Sequence, residues 1–196
     1  LGSFYCCVSC NTVDNDRNRT KVGYPCPRCG ETNEAPRVYF PITALSLVDL
    51  IQGFYHIEGN AVAHFRLYNP KTDPSLATVV FFCSLGDVLL THLLKEIMLK
   101  QGVVKKERDR LLADNLSIRL RVDRLYPALT QQKWTSDLKQ VSAGKGLNYL
   151  ETNKLFLEVN ECRNLWLHQG NRWGISPDLP KRCVQAIWPL LCLFVA

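Results

Sequence analysis

Apolar residues recur every three to four positions over most of the chain beyond residue 41, a spacing typical of helices. One such stretch begins at Pro74, which follows a capping Asp73, and continues to Lys100, with Gly102 as its end signal. A second covers about residues 148–169 and is followed by Gly170, a favourable C-terminal cap. Further helices are predicted near residues 43–57, 134–141 and 180–195.

A charged segment lies between the two long apolar patterns. It is predicted as one helix over about Val104–Leu125 that Pro127 stops, with seven basic and four acidic residues between Lys105 and Arg124. Mixed charges of this kind fit a solvated surface, and the basic excess also fits an RNA-binding face. Few alternating strand patterns occur beyond residue 40, so the fold class predicted for residues 41–196 is mainly α, a helical bundle.

Residues 1–40 form a different module with closely paired cysteines. Cys7 and Cys10 are separated by two residues, as are Cys26 and Cys29, and fifteen residues separate the pairs. Two such turns place four thiolates around one Zn²⁺ in a tetrahedron without an open position, which predicts a structural zinc ribbon. Redox pairs or free cysteines are the competing interpretation, and Cys6 is an alternative to Cys7 as first ligand.

Composition narrows the class of protein. The chain has 196 residues and 46% apolar residues, which suits a soluble domain plus a small module, and no apolar run appears long enough to span a bilayer. The net charge of +6 would fall to about +4 with four zinc-bound thiolates, a mild basic bias that is compatible with nucleic acid. Four further cysteines lie singly in apolar surroundings and are predicted to be buried in the core; they are Cys83, Cys162, Cys183 and Cys192. This use of cysteine does not fit a secreted disulfide scaffold, so the predicted location is a reducing, cytoplasmic compartment.

The end of the second long helix carries the candidate chemistry. Asn164 and His168 share a helix face, whereas Arg163 lies roughly 140° round the helix from His168 and needs its long stem to reach round to it. A guanidinium donates to phosphate oxygens, and an imidazole moves a proton near neutral pH, so the three side chains suit a phosphate site. The alternative is that an Arg and a His merely complement the helix dipole.

Arg163-Asn164-x3-His168 followed by Gly resembles the R-x4-6-H motif of the HEPN superfamily, the higher eukaryotes and prokaryotes nucleotide-binding domains. The order of helices is also similar: an apolar helix with Asp87, then the motif helix, then an apolar closing helix. The resemblance covers about residues 42–196. It implies a four- to five-helix bundle that dimerises, bringing two motifs into one cleft.

Many HEPN members are metal-independent endoribonucleases found as toxins, in antiviral defence and in CRISPR effectors. Carried over by resemblance, His168 would be the general acid/base, Arg163 would stabilise the transition state, and Asn164 would hold the phosphate or orient His168. Asp87 would orient Arg163 or His168. The implied partners are RNA, a second copy of the chain and an antitoxin or other protein, with no membrane.

Two other functions compete with the ribonuclease hypothesis. A non-catalytic module would use the ribbon and the basic residues to bind nucleic acid or protein while the bundle dimerises. A zinc-dependent hydrolase ranks last, because four cysteine ligands leave no open position on the metal.

Overall fold

The computed structural model describes residues 3–6, 13–14, 23–32, 40–64, 74–145, 148–169, 176 and 178–194. The chain divides into two compact units, Leu1–Ser46 and Leu47–Ala196. This boundary lies six residues beyond the predicted one at residues 40 and 41, and it falls inside a helix rather than before it.

The first unit contains a small antiparallel sheet. Its strands are β1 (Ser3–Cys6), β2 (Val13–Asp14) and β3 (Phe40–Pro41), in the order β2-β1-β3. Cys6 pairs with Val13. A separate antiparallel bridge joins Pro25 to Thr32.

The described part of the second unit is helical, which confirms the predicted mainly α fold class. The helices are α1 (Ile42–His64), α2 (Pro74–Lys100), α3 (Lys105–Asp114), α4 (Ile118–Leu120), a π turn (Arg121–Leu125), α5 (Tyr126–Thr130), α6 (Trp134–Lys145), α7 (Tyr149–Gln169), α8 (Leu179–Gln185) and α9 (Ile187–Leu193). The bounds predicted for α2 and α7 agree with those observed to within one residue. Both helices have strong local end signals, since Gly102 adopts a φ of 74° and the Asn148 side chain accepts from the Glu151 N–H.

Helix α2 is the central helix of the bundle and packs against α7 and α8. Its buried side chains recur at helical spacing; they include Val79, Phe82, Leu85, Leu89, Leu90, Leu94 and Met98. By length and composition the segment Leu76–Lys100 would suffice to cross a membrane, contrary to the expectation that no apolar run is long enough. That is weak evidence for a membrane span, because the core helix of a soluble protein passes the same test.

An aromatic cluster joins the later helices. Trp134 packs edge-on against Tyr126 at 4.8 Å and is stacked on Phe194 at 5.8 Å between ring centroids. Its indole N–H donates to the buried Asn153 side chain over 2.9 Å, so the one polar atom of this ring is satisfied. Phe156 of α7 extends the cluster through an edge contact with Phe194.

The prediction of one charged helix over Val104–Leu125 is wrong. Helix α3 ends at Asp114, Asn115 turns its amide back to the Leu111 carbonyl, and Ser117 caps α4 by accepting from the Leu120 N–H. Such local hydrogen bonds compete with continued helix. The helix is therefore interrupted at residues 115–117.

Pro127 does not stop the helical path either. It lies in the first turn of α5, directly after the π turn, and the path continues to Gln131, whose φ is 62°. In the π turn the Tyr126 N–H bonds to the Arg121 carbonyl, five residues back. A π turn leaves one backbone carbonyl without its usual N–H donor. Because proline has no N–H to donate, Pro127 fits directly after this turn.

The apolar C-terminal segment forms two helices instead of the single one predicted over residues 180–195. Pro189 is the reason, since its ring would clash with the carbonyl of residue 185 in a continuous helix and it lacks the N–H to bond there. Helix α8 accordingly ends at Gln185, and α9 begins at Ile187 after Ala186.

Candidate functional site

Helix α7 carries the three candidate residues of the RNA site near its C-terminal end. The Arg163 guanidinium donates from Nη1 to the Asn164 Oδ1 over 3.0 Å, and both side chains are half-buried. His168 lies one turn beyond Asn164 and is exposed. The hydrogen bond holds the carbonyl end of the Asn164 amide against Arg163, so its NH2 group remains available as a donor.

The Arg163 side chain has unused hydrogen-bonding capacity. Its Nε is buried and makes no hydrogen bond, and no carboxylate of the described residues lies within ion-pair distance of the guanidinium. A buried donor without an acceptor is costly, and a partly desolvated cation is most stable beside an anion. These features make Arg163 a candidate for anion binding.

Two contacts establish how α2 and α7 lie against each other. Cys83 donates from Sγ to the Asn160 Oδ1 at 3.6 Å, and Gly86 faces the ring of Phe156. The numbering thus rises along α2 as it falls along α7, and Arg163 lies level with Val79 and Val80. Residues 74–86 of α2 contain no charged side chain, so this part of α2 offers Arg163 no counter-ion.

Asp87 has a different partner from the one predicted. Its Oδ1 accepts from Nη1 of Arg121, which also donates to Thr91 Oγ1 over 2.8 Å and, through Nε, to the Asn115 carbonyl over 2.9 Å. The antiparallel packing separates Asp87 from His168 by about twelve residues along the helix axis, or about 18 Å. No hydrogen bond among the described residues joins Asp87 to Arg163 or His168, so its expected role in orienting them is not supported.

Asp87 and Arg163 nevertheless act on one common neighbour. Burial raises the pKa of the Cys83 thiol to about 11, while the positive charge of Arg163 lowers it and the negative charge of Asp87 raises it further. Cys83 therefore lies within electrostatic reach of both. The predicted burial of Cys83, Cys162 and Cys183 is confirmed, whereas Cys192 is only half-buried.

Of the four predicted zinc ligands, Cys26 and Cys29 are described, whereas Cys7 and Cys10 lie outside the described residues. The turn at Cys26 is closed by two backbone bonds of 2.8 Å, from the Gly30 N–H to the Cys26 carbonyl and from the Cys26 N–H to the Glu31 carbonyl. Gly30 has the left-handed φ of 74° that its position predicts. Cys26 is buried and Cys29 is exposed.

The two pairs of cysteines have the same spacing relative to an antiparallel backbone pairing. Cys6 and Val13 are paired and are seven residues apart, as are Pro25 and Thr32. In each interval cysteines stand one and four residues after the first paired residue. Cys6 corresponds to Pro25 in this comparison, which favours Cys7 as the first ligand. Among the described residues no group of three or more His, Cys, Asp or Glu side chains is arranged for a metal.

The basic excess between Lys105 and Arg124 is partly neutralised. Arg110 pairs with Glu107, Arg119 with Asp123, and Arg121 with Asp87. Lys105, Lys106 and Arg124 are exposed and have no ion pair with any described residue. They are the basic side chains of this segment that remain available to a phosphate backbone.

Sequence analysis missed Arg121, Cys83 and Asn160 as neighbours of the predicted site. Asn160 has a signal in the sequence, because it precedes Asn164 by four residues and so shares its helix face. Arg121 has none, since its bond to Asp87 spans 34 residues. Comparisons with models of known protein families, with curated protein sequences and with solved structures gave no match.

Proposed function

We propose that this chain is a metal-independent endoribonuclease of the HEPN type, active as a dimer in a toxin or antiviral-defence setting. The observation that carries the proposal is the state of Arg163, a half-buried cation with a buried, unbonded Nε and no carboxylate partner among the described residues. A phosphate bound at the guanidinium would supply the missing counter-charge. Asn164 and His168 extend this donor set along the same helix.

His168, Arg163 and Asn164 each have a separate role in the proposed cleavage of RNA. His168 either takes the proton of the RNA 2′-OH or gives a proton to the leaving 5′-oxygen. The other of these two proton transfers requires another group or water. The 2′-oxygen attacks the adjacent phosphorus, the bond from phosphorus to the 5′-oxygen breaks, and a 2′,3′-cyclic phosphate forms. Arg163 stabilises the negative charge that develops on the phosphoryl oxygens, and the Asn164 NH2 donates to one of them.

Dimerisation would supply the second proton-transfer group, because a second copy brings another His168 to the cleft. Leu165 and Leu167 are exposed on either side of the helix near His168, and apolar side chains of this kind suit a subunit contact. Mass determination by light scattering would test this part of the proposal, for which a monomer at assay concentrations would be unfavourable evidence.

The decisive experiment is cleavage of single-stranded and structured RNA by the purified chain in EDTA. We expect fragments with 5′-hydroxyl and 2′,3′-cyclic phosphate ends, and no cleavage of DNA or of 2′-O-methyl RNA. Arg163→Ala and His168→Ala should each lower the rate at least about 100-fold. Arg110→Ala and His92→Ala are matched controls that remove the same chemical groups elsewhere and should retain activity. Absence of cleavage, or equal cleavage by His168→Ala, would refute the proposal.

The same proposal includes one structural Zn²⁺ held by Cys7, Cys10, Cys26 and Cys29. The closed turn at Cys26 and the equal spacing of the two paired intervals fit a four-thiolate site. The ion would cross-link the two turns and take no part in RNA cleavage. Equimolar zinc, lost in Cys26→Ser but retained in Cys6→Ser, is the expected result of metal analysis; retention in Cys26→Ser would count against the site.

The second candidate function is a non-catalytic module that binds nucleic acid. The exposed side chains of Lys105, Lys106 and Arg124 favour it, since they have no acidic partner among the described residues. Salt-dependent RNA binding that persists in Arg163→Ala and His168→Ala, without turnover, would support this function over the first. Absence of binding to RNA and to DNA would leave a protein partner.

A further inference from the structure

Helix α7 presents a short polar stripe toward its C-terminal end. Asn160, Arg163 and Asn164 lie within one turn and are all half-buried. The segment of α2 at this level, residues 74–86, has no charged side chain and buries most of its apolar ones. The stripe therefore has no charged partner on this part of α2.

Cys83 of α2 contacts this stripe. Its thiol is 2% exposed and donates to the Asn160 Oδ1 at 3.6 Å. The thiol also lies within the electrostatic reach of the Arg163 guanidinium. Asn160, the acceptor in this contact, precedes Arg163 by three residues and so lies within one helical turn of it.

We infer that Cys83 and Asn160 are positioning residues for Arg163, through a hydrogen bond that sets the rotation of α7 against α2. The inference rests on the proposed function only for its kinetic test. Apolar packing does not depend strongly on direction, whereas a hydrogen bond does. Together with the close packing of Phe156 against Gly86, this bond distinguishes one rotation of α7 from its neighbours.

A small rotation is enough to affect the site. A side-chain group about 6 Å from a helix axis moves by about 1 Å when the helix turns by 10°. Misplacement of a catalytic group by about 1 Å lowers a rate by up to about 100-fold. Loss of the bond between Cys83 and Asn160 should therefore displace the Arg163 guanidinium, although Arg163 itself is not replaced.

Cys83→Ser and Cys83→Ala form the matched pair for the test. Serine keeps a donor on the same side of α2, although its C–O bond is shorter than the C–S bond of cysteine, while alanine removes the donor and leaves the helix intact. We expect kcat for RNA cleavage to fall about tenfold or more in Cys83→Ala with little change in KM, and to fall less in Cys83→Ser. Asn160→Ala should match Cys83→Ala, and the double variant should be no worse than either single one.

A second readout does not depend on catalysis. The Nε–Hε resonance of Arg163 is visible by NMR and is assigned by its loss in Arg163→Lys. It should shift in Cys83→Ala and Asn160→Ala, and it should shift less in Cys83→Ser. Cys183→Ala removes an equally buried thiol from α8 and should leave the resonance in place.

The outcomes separate the two proposals. If wild-type protein cleaves no RNA, the proposed function fails, and the Arg163 resonance still decides the positioning role. If Cys83→Ala leaves that resonance unchanged, or if Cys183→Ala shifts it as much, the positioning role is refuted even when RNA is cleaved.

Discussion

Gly86 of α2 lets the ring of Phe156 from α7 lie close against the α2 backbone, and Gly86→Ala should destabilise the helical unit. A Cβ added at this position would lie 2.1 Å from Cε2, 2.5 Å from Cδ2 and 2.8 Å from Cζ of Phe156. Carbon atoms in contact are normally about 3.5–4.0 Å apart, so the ring would have to retreat by about 1.4 Å. Phe156 is 1% exposed and packs against Phe194, which leaves it little space to move.

The expected magnitude combines two opposing effects. Overpacking a well-packed core costs about 1–3 kcal/mol, and three contacts below 3.0 Å place Gly86 at the upper end of that range. Alanine regains about 1 kcal/mol because glycine is a poor helix former. The free energy of unfolding should therefore fall by about 2 kcal/mol, which lowers Tm by about 4–8 °C in a unit of about 150 residues.

Denaturant unfolding of Gly86→Ala, with Gly53→Ala as control, measures this change. Gly53 also lies within a helix, and a Cβ added there would meet no atom within 4 Å, so its replacement should stabilise by about 1 kcal/mol. In Gly86→Ala/Phe156→Leu the smaller side chain should relieve the clash, and the two losses should not add. A Gly86→Ala protein as stable as wild type, or strictly additive losses, would refute the packing argument.

Four further predictions concern ionisable groups. Asp87→Asn should lower the unfolding free energy by about 1–2 kcal/mol, because Arg121 (side chain 10% exposed) loses its charged partner. The role of Asp87 is then structural, and a loss of RNA cleavage per folded molecule would contradict it. Burial raises the pKa of Cys83 to about 11 and that of Cys183 to about 12, so both should resist a thiol reagent at pH 8 until the protein unfolds. Because these folded-state pKa values exceed the ordinary 9.0, the unfolding free energy should fall as pH rises above about 9, and a flat profile between pH 9 and 11 would count against burial. Glu158→Gln breaks a half-exposed ion pair with α8 and should cost less than about 1 kcal/mol, diminishing in high salt; a larger, salt-independent loss would show that another contact is involved.

The parts of the fold that sequence analysis predicted have local causes. Helix α2 starts at a proline and is followed by a glycine with positive φ, and the turn at Cys26 ends on Gly30 for the same conformational reason. Asn164 and His168 were placed one turn apart by helical spacing alone. Each of these depends on residues within a few positions of one another.

The missed features depend on tertiary contacts or on competition between weak local signals. The partner of Asp87 comes from a segment 34 residues away, and nothing near Asp87 indicates Arg121. The bond from Arg163 to its neighbour Asn164 also differs from the expected reach toward His168, because a helix interface limits where a long side chain lies. In the charged segment, the polar residues at 115 and 117 outweighed a favourable helix composition.

The π turn at Arg121–Leu125 makes the length of this segment critical. A π turn holds one residue more than an α-helix of the same span, and each residue rotates the following helix by about 100°. Deleting a single residue here would leave a regular helix but turn Tyr126 away from Trp134 and from Asp137, whose carboxylate accepts from the Tyr126 hydroxyl over 2.6 Å. Insertions and deletions usually collect in loops, yet in this chain a helical segment has a length that cannot change by one without disturbing the aromatic core.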